Sequence, residues 1–251
     1  MDNNIEELSL SLSSLHITKY DLSKIIKIQK WYRGCIFRLK RMPIIMYKIK
    51  KYLENKNIKF STTNEDGRIN SCIDEEIVIN LLIKAFKKRI KKPKIRMWYD
   101  ILVYDYRYGW LPINIKTTTM RTNDNTGNLA MCVYSYTDEI LDLHKSYYNG
   151  KMSVILYNKL IKKEYNFNNK KDYYFIVLNK LQPNDIVINS LKGLTYLTPN
   201  INNLPFQICW NKNREYKYEN INKKVNLFIK CLKKPKPSWK ETFMSNIRNI
   251  P

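Results

Sequence analysis

The amino-acid sequence predicts an α/β protein whose central part follows the element order αβββαβ. Three observations lead to this class. Apolar residues recur at three- and four-residue spacing over residues 73–90, as on one face of a helix. Two strand-like runs follow, 97–104 and 110–117, and turn-forming residues at 105–109 favour a hairpin between them. A continuous apolar run at 173–178 has the length and composition of a buried strand.

Ahead of this core, residues 1–57 are predicted to form a polar leader and a basic helical arm. Apolar residues at helical spacing predict one helix over about 22–53, which Pro43 is expected to break or kink. The turn-rich segment after it predicts a linker, so residues 58–251 are assigned to a second domain.

The remaining elements are predicted from shorter patterns. A third strand is expected at 128–136 and a mainly helical stretch at 137–163, although an Asn-Gly pair interrupts the helical pattern. Short strand candidates lie at 185–188 and 204–210. Residues 219–249 are predicted to form two C-terminal helices separated by prolines.

The chain is strongly basic, because 45 Lys and Arg against 22 Asp and Glu give 251 residues a net charge of +23. The surplus lies in three blocks, residues 19–60 (+11), 84–96 (+8) and 206–251 (+8). Such blocks indicate a polyanion partner. A charge block is also typical of an ordinary solvated face. Near-neutral stretches between the blocks favour a nucleic-acid groove over a membrane surface.

Scarce residues exclude several classes of function. The six glycines form neither GxGxxG nor GxxxxGK[ST], the phosphate loops of nucleotide-binding proteins. Two histidines, His16 and His144, exclude HExxH and multi-histidine zinc sites. The five cysteines form no CxxC pair, the start is acidic, and no apolar run reaches about 18–20 residues. These features predict an intracellular protein in a reducing compartment, the cytoplasm or the site of the DNA.

A carboxylate and a lysine are expected to meet on the predicted hairpin. Asp100 lies on its first strand, and Asn114 and Lys116 share one face of its second strand, because residues i and i+2 point to the same side. Oxygen ligands beside a lysine suit phosphodiester hydrolysis with Mg²⁺ or Mn²⁺, because the oxygens hold the metal and the ammonium steadies developing charge. Asp100 and Lys116 are also ordinary residues for strand ends.

The preceding helix offers a further carboxylate. Glu75 aligns with the buried stripe of that helix, and Glu76 is the second candidate, so each is a potential accessory metal ligand. The alternative explanation is that acidic residues in a first helical turn interact favourably with the helix dipole.

These residues resemble those of a known family. Asp100, the run INIKTT at 113–118 and the run SYT at 135–137 are similar to the motifs of the PD-(D/E)xK nuclease superfamily, with the closest likeness to the EcoRV-like type II restriction endonucleases. The resemblance covers about residues 68–180. It implies a restriction-endonuclease-like core, to which the predicted helical arm and C-terminal helices are additions, and it implies a homodimer.

The resemblance also implies roles for single residues. Asp100 corresponds to the first metal ligand, Lys116 to the catalytic lysine, and Glu75, or less well Glu76, to an accessory ligand. Asn114 stands where the family usually has Asp or Glu, which removes one anionic ligand.

A second motif lies in the arm. Residues 28–38 match IQxxxRGxxxR at every defined position, namely Ile28, Gln29, Arg33, Gly34 and Arg38. The segment resembles the IQ helices that calmodulin-like EF-hand proteins clasp. The same basic amphipathic helix would also suit DNA phosphates, packing on its own domain or a membrane surface.

Candidate DNA contacts follow from charge and loop chemistry. Phosphate contacts are expected from one basic block, which comprises Lys84, Lys87, Lys88, Arg89, Lys91 and Lys92. A polar loop offers base-edge hydrogen bonds through Arg121, Asn123 and Asn125. Aromatic residues among the C-terminal lysines fit either base stacking or core packing between helices.

The sequence therefore predicts a Mg²⁺- or Mn²⁺-dependent endodeoxyribonuclease that acts on double-stranded DNA. The alternative is a non-catalytic DNA-binding or EF-hand-binding adaptor that keeps a nuclease-like scaffold with a weakened metal site. Residue 114 separates the two, because an amide there binds a metal ion less strongly than a carboxylate.

Overall fold

The computed structural model of the chain describes residues 21–30, 42–61, 67–94, 96–125, 128–168, 170–200, 205–233 and 247–248. It contains two compact units, Met1–Arg41 and Met42–Pro251. In the first unit, residues 21–30 form a helix, as predicted for the arm. Within the described ranges, no helix combines the length and the apolar composition needed to cross a bilayer.

The second unit contains a mixed sheet and helices, which confirms the predicted α/β class. Its helices are α1 (Ile44–Glu54), α2 (Gly67–Phe86), α3 (Leu129–Tyr136), α4 (Asn149–Ile161) and α5 (Ile221–Leu232). Its strands are β1 (Ile90–Lys91), β2 (Ile101–Asp105), β3 (Gly109–Thr118), β4 (Tyr174–Asn179), β5 (Gln182–Ser190), β6 (Thr198–Pro199) and β7 (Phe206–Gln207).

Strands β1 to β5 form one sheet in chain order, and β6 and β7 form a separate pair. Neighbours in the larger sheet are antiparallel except β3 and β4, which are parallel. The predicted hairpin is present, since β2 and β3 pair from Ile101↔Ile113 to Asp105↔Gly109. Gly109 closes its turn with a φ of 76°, a conformation that glycine adopts without steric cost.

Two hydrophobic clusters cover the two faces of the sheet. Helices α1 and α2 pack with Ile113 and Ile115 of β3, whereas α3, α4 and α5 pack with Phe175 of β4 and its neighbours on the opposite face. Side chains alternate between faces along a strand. Asn114 and Lys116 therefore lie on the face opposite Ile113 and Ile115, and both are only half-buried.

The prediction of a third strand at 128–136 is wrong, because this run forms helix α3. The Asn128 side chain caps the helix by accepting a hydrogen bond from the Met131 N–H at 2.8 Å. Every residue of α3 is buried. A run that is apolar on all sides carries no period that separates a helix from a strand.

Helix boundaries also differ from the predictions. Helix α2 begins at Gly67, ahead of the expected start at residue 73, and ends at Phe86. A short 3₁₀ turn and strand β1 occupy the rest of the predicted helix. Helix α4 begins at Asn149, the residue expected to interrupt a longer helix. The residue that caps this start is Tyr148, and its side chain makes no capping hydrogen bond.

The division between the units lies earlier in the chain than the predicted boundary after residue 57. Pro43 directly precedes α1, whose buried residues are Ile45, Met46, Ile49 and Leu53. The buried Asp105 carboxylate accepts a hydrogen bond from the Ile45 N–H at 3.2 Å. Helix α1 therefore belongs to the second unit, because its apolar face and its first turn are bound there.

An ion pair beside β5 gives a pH-dependent contribution to stability. Both terminal nitrogens of Arg214 donate to Asp185 at 2.8 Å, and these hydrogen bonds lower the pKa of Asp185 to about 2. In the unfolded chain, an aspartate carboxyl has a pKa of about 3.9. The pair therefore stabilises the fold fully above that pH and loses its effect as the pH falls towards 2.

We expect Asp185→Asn to lower the free energy of unfolding at neutral pH by about 1 kcal/mol, because the arginine is half-exposed and solvent screens the pair. The difference from the wild type should shrink as the pH falls below about 4. Urea unfolding across this range measures it. A difference that stays constant with pH would contradict the assignment.

Candidate active site

The candidate site begins where β2 and β3 separate. The last backbone hydrogen bond between them joins the Asp100 N–H, just ahead of β2, to the Ile113 carbonyl oxygen of β3 at 2.9 Å. Beyond this point, β3 continues to Thr118 while paired with β4 on its other side. On the side of β2, the N–H groups of Ile115 and Thr117 lack a strand partner. Side-chain carboxylates take the place of that strand.

Asp100 and Asn114, which the sequence predicted to be neighbours, are in direct contact. One oxygen of Asp100, Oδ2, accepts hydrogen bonds from the Ile115 N–H at 2.7 Å and from Asn114 Nδ2 at 2.8 Å. The other end of the amide, Asn114 Oδ1, is buried and has no hydrogen-bond partner among the described residues. This oxygen is therefore available as a ligand.

Glu75 and Lys116 form the second half of the site. Glu75 Oε1, from α2, accepts a hydrogen bond from the Thr117 N–H at 3.4 Å and lies 3.3 Å from Lys116 Nζ. Ser71 and Thr117 fix α2 against β3, since each hydroxyl donates to the other's carbonyl oxygen at 3.4 Å. The accessory glutamate and the lysine that the sequence singled out are thus an ion pair.

The two carboxylates of the site lie close enough to influence each other. Burial raises the pKa of Asp100 to about 7, and the Glu75 charge adds to this, although the Ile115 N–H and Lys116 oppose it. Burial also raises the pKa of Glu75, against the opposing effects of Lys116 and the Thr117 N–H. A cation between the carboxylates would stabilise both charged forms.

The oxygen atoms at the site fit a hard divalent cation. Mg²⁺ is typically held by one or two carboxylates and keeps several water ligands. In the part of the chain that the structure describes, no three His, Cys, Asp or Glu side chains are grouped to hold a metal ion. A metal here would therefore depend on Asp100, Glu75 and the amide oxygen of Asn114.

A cleft of about 590 Å³ opens beside the ion pair. Its walls come from α2, from the end of β3, from the loop after β3 and from the turn between β4 and β5. Its charged lining residues are Glu75, Lys116, Asp124 and Lys180. The cleft therefore presents two ammonium groups and two carboxylates within one space.

Asp124 is a cleft residue that the sequence did not reveal. Its Oδ1 accepts a hydrogen bond from Thr118 Oγ1 at 3.1 Å, and its backbone pairs with Ile208 through hydrogen bonds of 2.9 and 3.0 Å. Burial raises the pKa of Asp124, which Thr118, Lys116 and Trp210 oppose. Asp124 belongs to a polar loop without a motif, so only the tertiary fold places it here.

Lys180 is another cleft residue that no sequence motif marks. Its Nζ lies 2.8 Å from Oδ2 of the fully buried Asp74, and its N–H donates to the Thr118 carbonyl oxygen at 2.9 Å. One sequence signal is the position of Lys180 directly after the last residue of β4, Asn179. Ligands often bind beyond the carboxyl ends of parallel strands.

Other predicted residues lie apart from this cluster. Glu76 Oε1 pairs with Lys92 Nζ at 2.5 Å and accepts a hydrogen bond from Asn80, so it does not join Glu75. In the predicted DNA-contact block, Lys84, Lys87, Lys88 and Lys91 are exposed. Arg89 and Lys91 lie over aromatic rings.

The predicted loop contacts have different surroundings. Arg121 and Asn123 are exposed, and Asn123 lines the cleft. Asn125 is also exposed and lines the cleft, but its Oδ1 accepts hydrogen bonds from Asn200 at 3.0 Å and Gln207 at 2.9 Å. Its carbonyl is therefore engaged within the protein.

The IQ-like motif is only partly described. Ile28 and Gln29 lie in the helical residues 21–30, and the Ile28 side chain is 63% exposed. The remaining motif residues, Arg33, Gly34 and Arg38, lie outside the described residues. Binding of a calmodulin-like partner stays a prediction.

Comparison of the chain with protein-family models, with curated proteins and with solved structures finds no match.

Proposed function

We propose that the protein is a metal-dependent DNA endonuclease with a restriction-endonuclease-like core. The observation that supports this most is the meeting of Asp100, Asn114, Glu75 and Lys116, from two strands and a helix, at the unpaired end of β3. The order of α2, strands β1 to β3 and then β4 is consistent with the same proposal, although two helices, α3 and α4, lie between β3 and β4 where one was predicted. So do the basic blocks of the chain, which suit a duplex.

Each residue has a role in this proposal. Asp100, Glu75 and Asn114 would hold Mg²⁺ or Mn²⁺, which supplies positive charge for the phosphate and acidifies a water molecule. Lys116 lines the cleft and offers its ammonium to a phosphate oxygen or to the attacking water. Lys180 adds a second cation to the same cleft.

One observation favours the non-catalytic alternative. The Asn114 amide donates a hydrogen bond to Asp100, so the carboxylate is stabilised without a metal ion. A DNA-binding adaptor needs only a stable fold, and this hydrogen bond stabilises the buried carboxylate without a metal ion. The two functions differ in a single measurable property, which is metal-dependent cleavage.

Cleavage of supercoiled plasmid by the full chain, with added Mg²⁺ or Mn²⁺, tests the proposal. We expect nicked and linear products only when a divalent ion is present, and none above background from Asp100→Asn. This variant keeps an oxygen acceptor for the Ile115 N–H but removes the charge. Equal activity of the two proteins, or plasmid binding without cleavage, would contradict an endonuclease.

The two neighbouring glutamates provide a matched comparison. Glu75→Gln should lower the cleavage rate by about tenfold to a hundredfold or more, because losing a metal ligand costs at least as much as losing one of the outer partners that orient the ligands. Glu76→Gln should leave the rate within about twofold, since Glu76 pairs with Lys92 at the surface. Single-turnover rates at fixed metal concentration give both values. Equal losses in both variants would remove Glu75 from the site.

A further inference from the structure

A second feature lies on the hairpin, far along β3 from the cleft. Tyr104 packs against Tyr106 and Trp110, with ring centroids 5.9 and 5.3 Å away. Arg89 Cζ lies 4.5 Å from the Tyr106 centroid, and Lys91 Nζ lies 4.3 Å from the Trp110 centroid. We call these five residues the cation–aromatic strip.

Backbone pairing brings the strip together. Tyr104 and Trp110 are direct partners across the hairpin, and Lys91 of β1 is paired with Leu102 of β2. Cross-strand aromatic pairs stabilise a hairpin, which accounts for Tyr104 and Trp110. It does not account for Tyr106, whose side chain is 76% exposed. A large ring held outside the core by a cation is a surface for contact.

The positive charge of the strip is not neutralised within the described chain. Arg89 and Lys91 belong to residues 84–96, which carry +8 and no acid. No ion pair among the described residues includes Arg89 or Lys91. Asp105, the acidic residue of the hairpin, is buried. Its carboxylate accepts hydrogen bonds from N–H groups of α1 and of the turn.

We propose that the cation–aromatic strip binds single-stranded nucleic acid. A base stacks on the exposed ring of Tyr106, and the phosphates lie beside Arg89 and Lys91. A duplex hides the faces of its bases, and an acidic protein would use the cations but not the rings. Trp110 and Lys116 are about 20 Å apart along β3. The strip therefore works independently of the cleft and of the endonuclease proposal.

Fluorescence anisotropy with a labelled oligothymidylate of about 16 nucleotides tests the strip. Chelator is added so that metal-dependent chemistry plays no part. We expect Tyr106→Ala to weaken binding by about tenfold, because stacking of one base contributes on that scale. Tyr106→Phe, which keeps the ring, should bind like the wild type. Lys91→Gln should weaken binding. It should also reduce the slope of log affinity against log salt concentration by about one, because one phosphate contact is lost.

Because Tyr106 is exposed, its variants should fold like the wild type, and circular dichroism checks this. Equal binding by the wild type and Tyr106→Ala would overturn the proposal, because the rings would then contribute nothing. Tighter binding of the matching duplex, or displacement of the oligonucleotide by polyglutamate as effective as by unlabelled oligothymidylate, would also overturn it. Normal plasmid cleavage by Tyr106→Ala together with lost oligonucleotide binding would support two separate surfaces.

Discussion

Replacing Lys116 by methionine should lower the rate of plasmid cleavage by about 10²–10³-fold, the usual effect of removing one electrostatic contact to a transition state. Methionine keeps the length and apolar stem of lysine but not the charge. The fold should survive, because the ion pair with Glu75 is partly exposed and such pairs contribute at most about 1 kcal/mol. Single-turnover rates with saturating metal measure the loss.

Lys92→Met is the matched control for this variant. Lys92 also pairs with a glutamate of α2, but it lies outside the residues that line the cleft. Lys92 is also a predicted phosphate contact, so its loss should weaken DNA binding, but at low salt and saturating protein we expect a single-turnover cleavage rate within about twofold of the wild type. If both lysine variants lose activity to the same degree, the effect is one of general charge and Lys116 has no special role.

Asn114→Asp should make the protein depend on metal ions for its stability. The variant loses the hydrogen bond of 2.8 Å to Asp100 and places two carboxylates side by side. Without metal we expect a loss of about 1–3 kcal/mol in the free energy of unfolding. Mn²⁺ should restore it, because a ligand that binds only the folded state stabilises that state. Cleavage at limiting metal concentration should rise by about tenfold or more.

Asn123→Asp adds the same charge to the cleft at an exposed position. It should change neither the melting temperature in chelator nor the metal concentration needed for cleavage. Thermal unfolding with and without Mn²⁺ compares the variants. Should Asn114→Asp gain no stabilisation from metal, the oxygens around Asp100 do not form a metal site, and the adaptor becomes the better hypothesis.

The geometry around Asp100 follows from local rules that a sequence carries. Turn residues and two strand-like runs predicted the hairpin, and pairing of its strands brings Asp100 beside Asn114. The period of two along β3 placed Lys116 on the same face. Contacts made within a hairpin depend on few residues, which explains why they were predictable.

Other parts of the site depend on long-range packing. Asp124 reaches the cleft because its backbone pairs with Ile208, and Lys180 arrives through the parallel pairing of β3 with β4. Neither partner can be identified from local pattern. Helix α3 was mistaken for a strand because burial on all sides removed the period that reveals a helix.

The end of β3 that extends beyond its pairing with β2 has a consequence for self-association. A strand segment with free N–H groups is a template on which another chain can add a strand. Here the Ile115 N–H donates a hydrogen bond to Asp100, and the Thr117 N–H donates one to Glu75. These two N–H groups are therefore not open to a strand of another chain. Substitutions that keep an oxygen acceptor at these positions preserve these hydrogen bonds, whereas alanine would remove them.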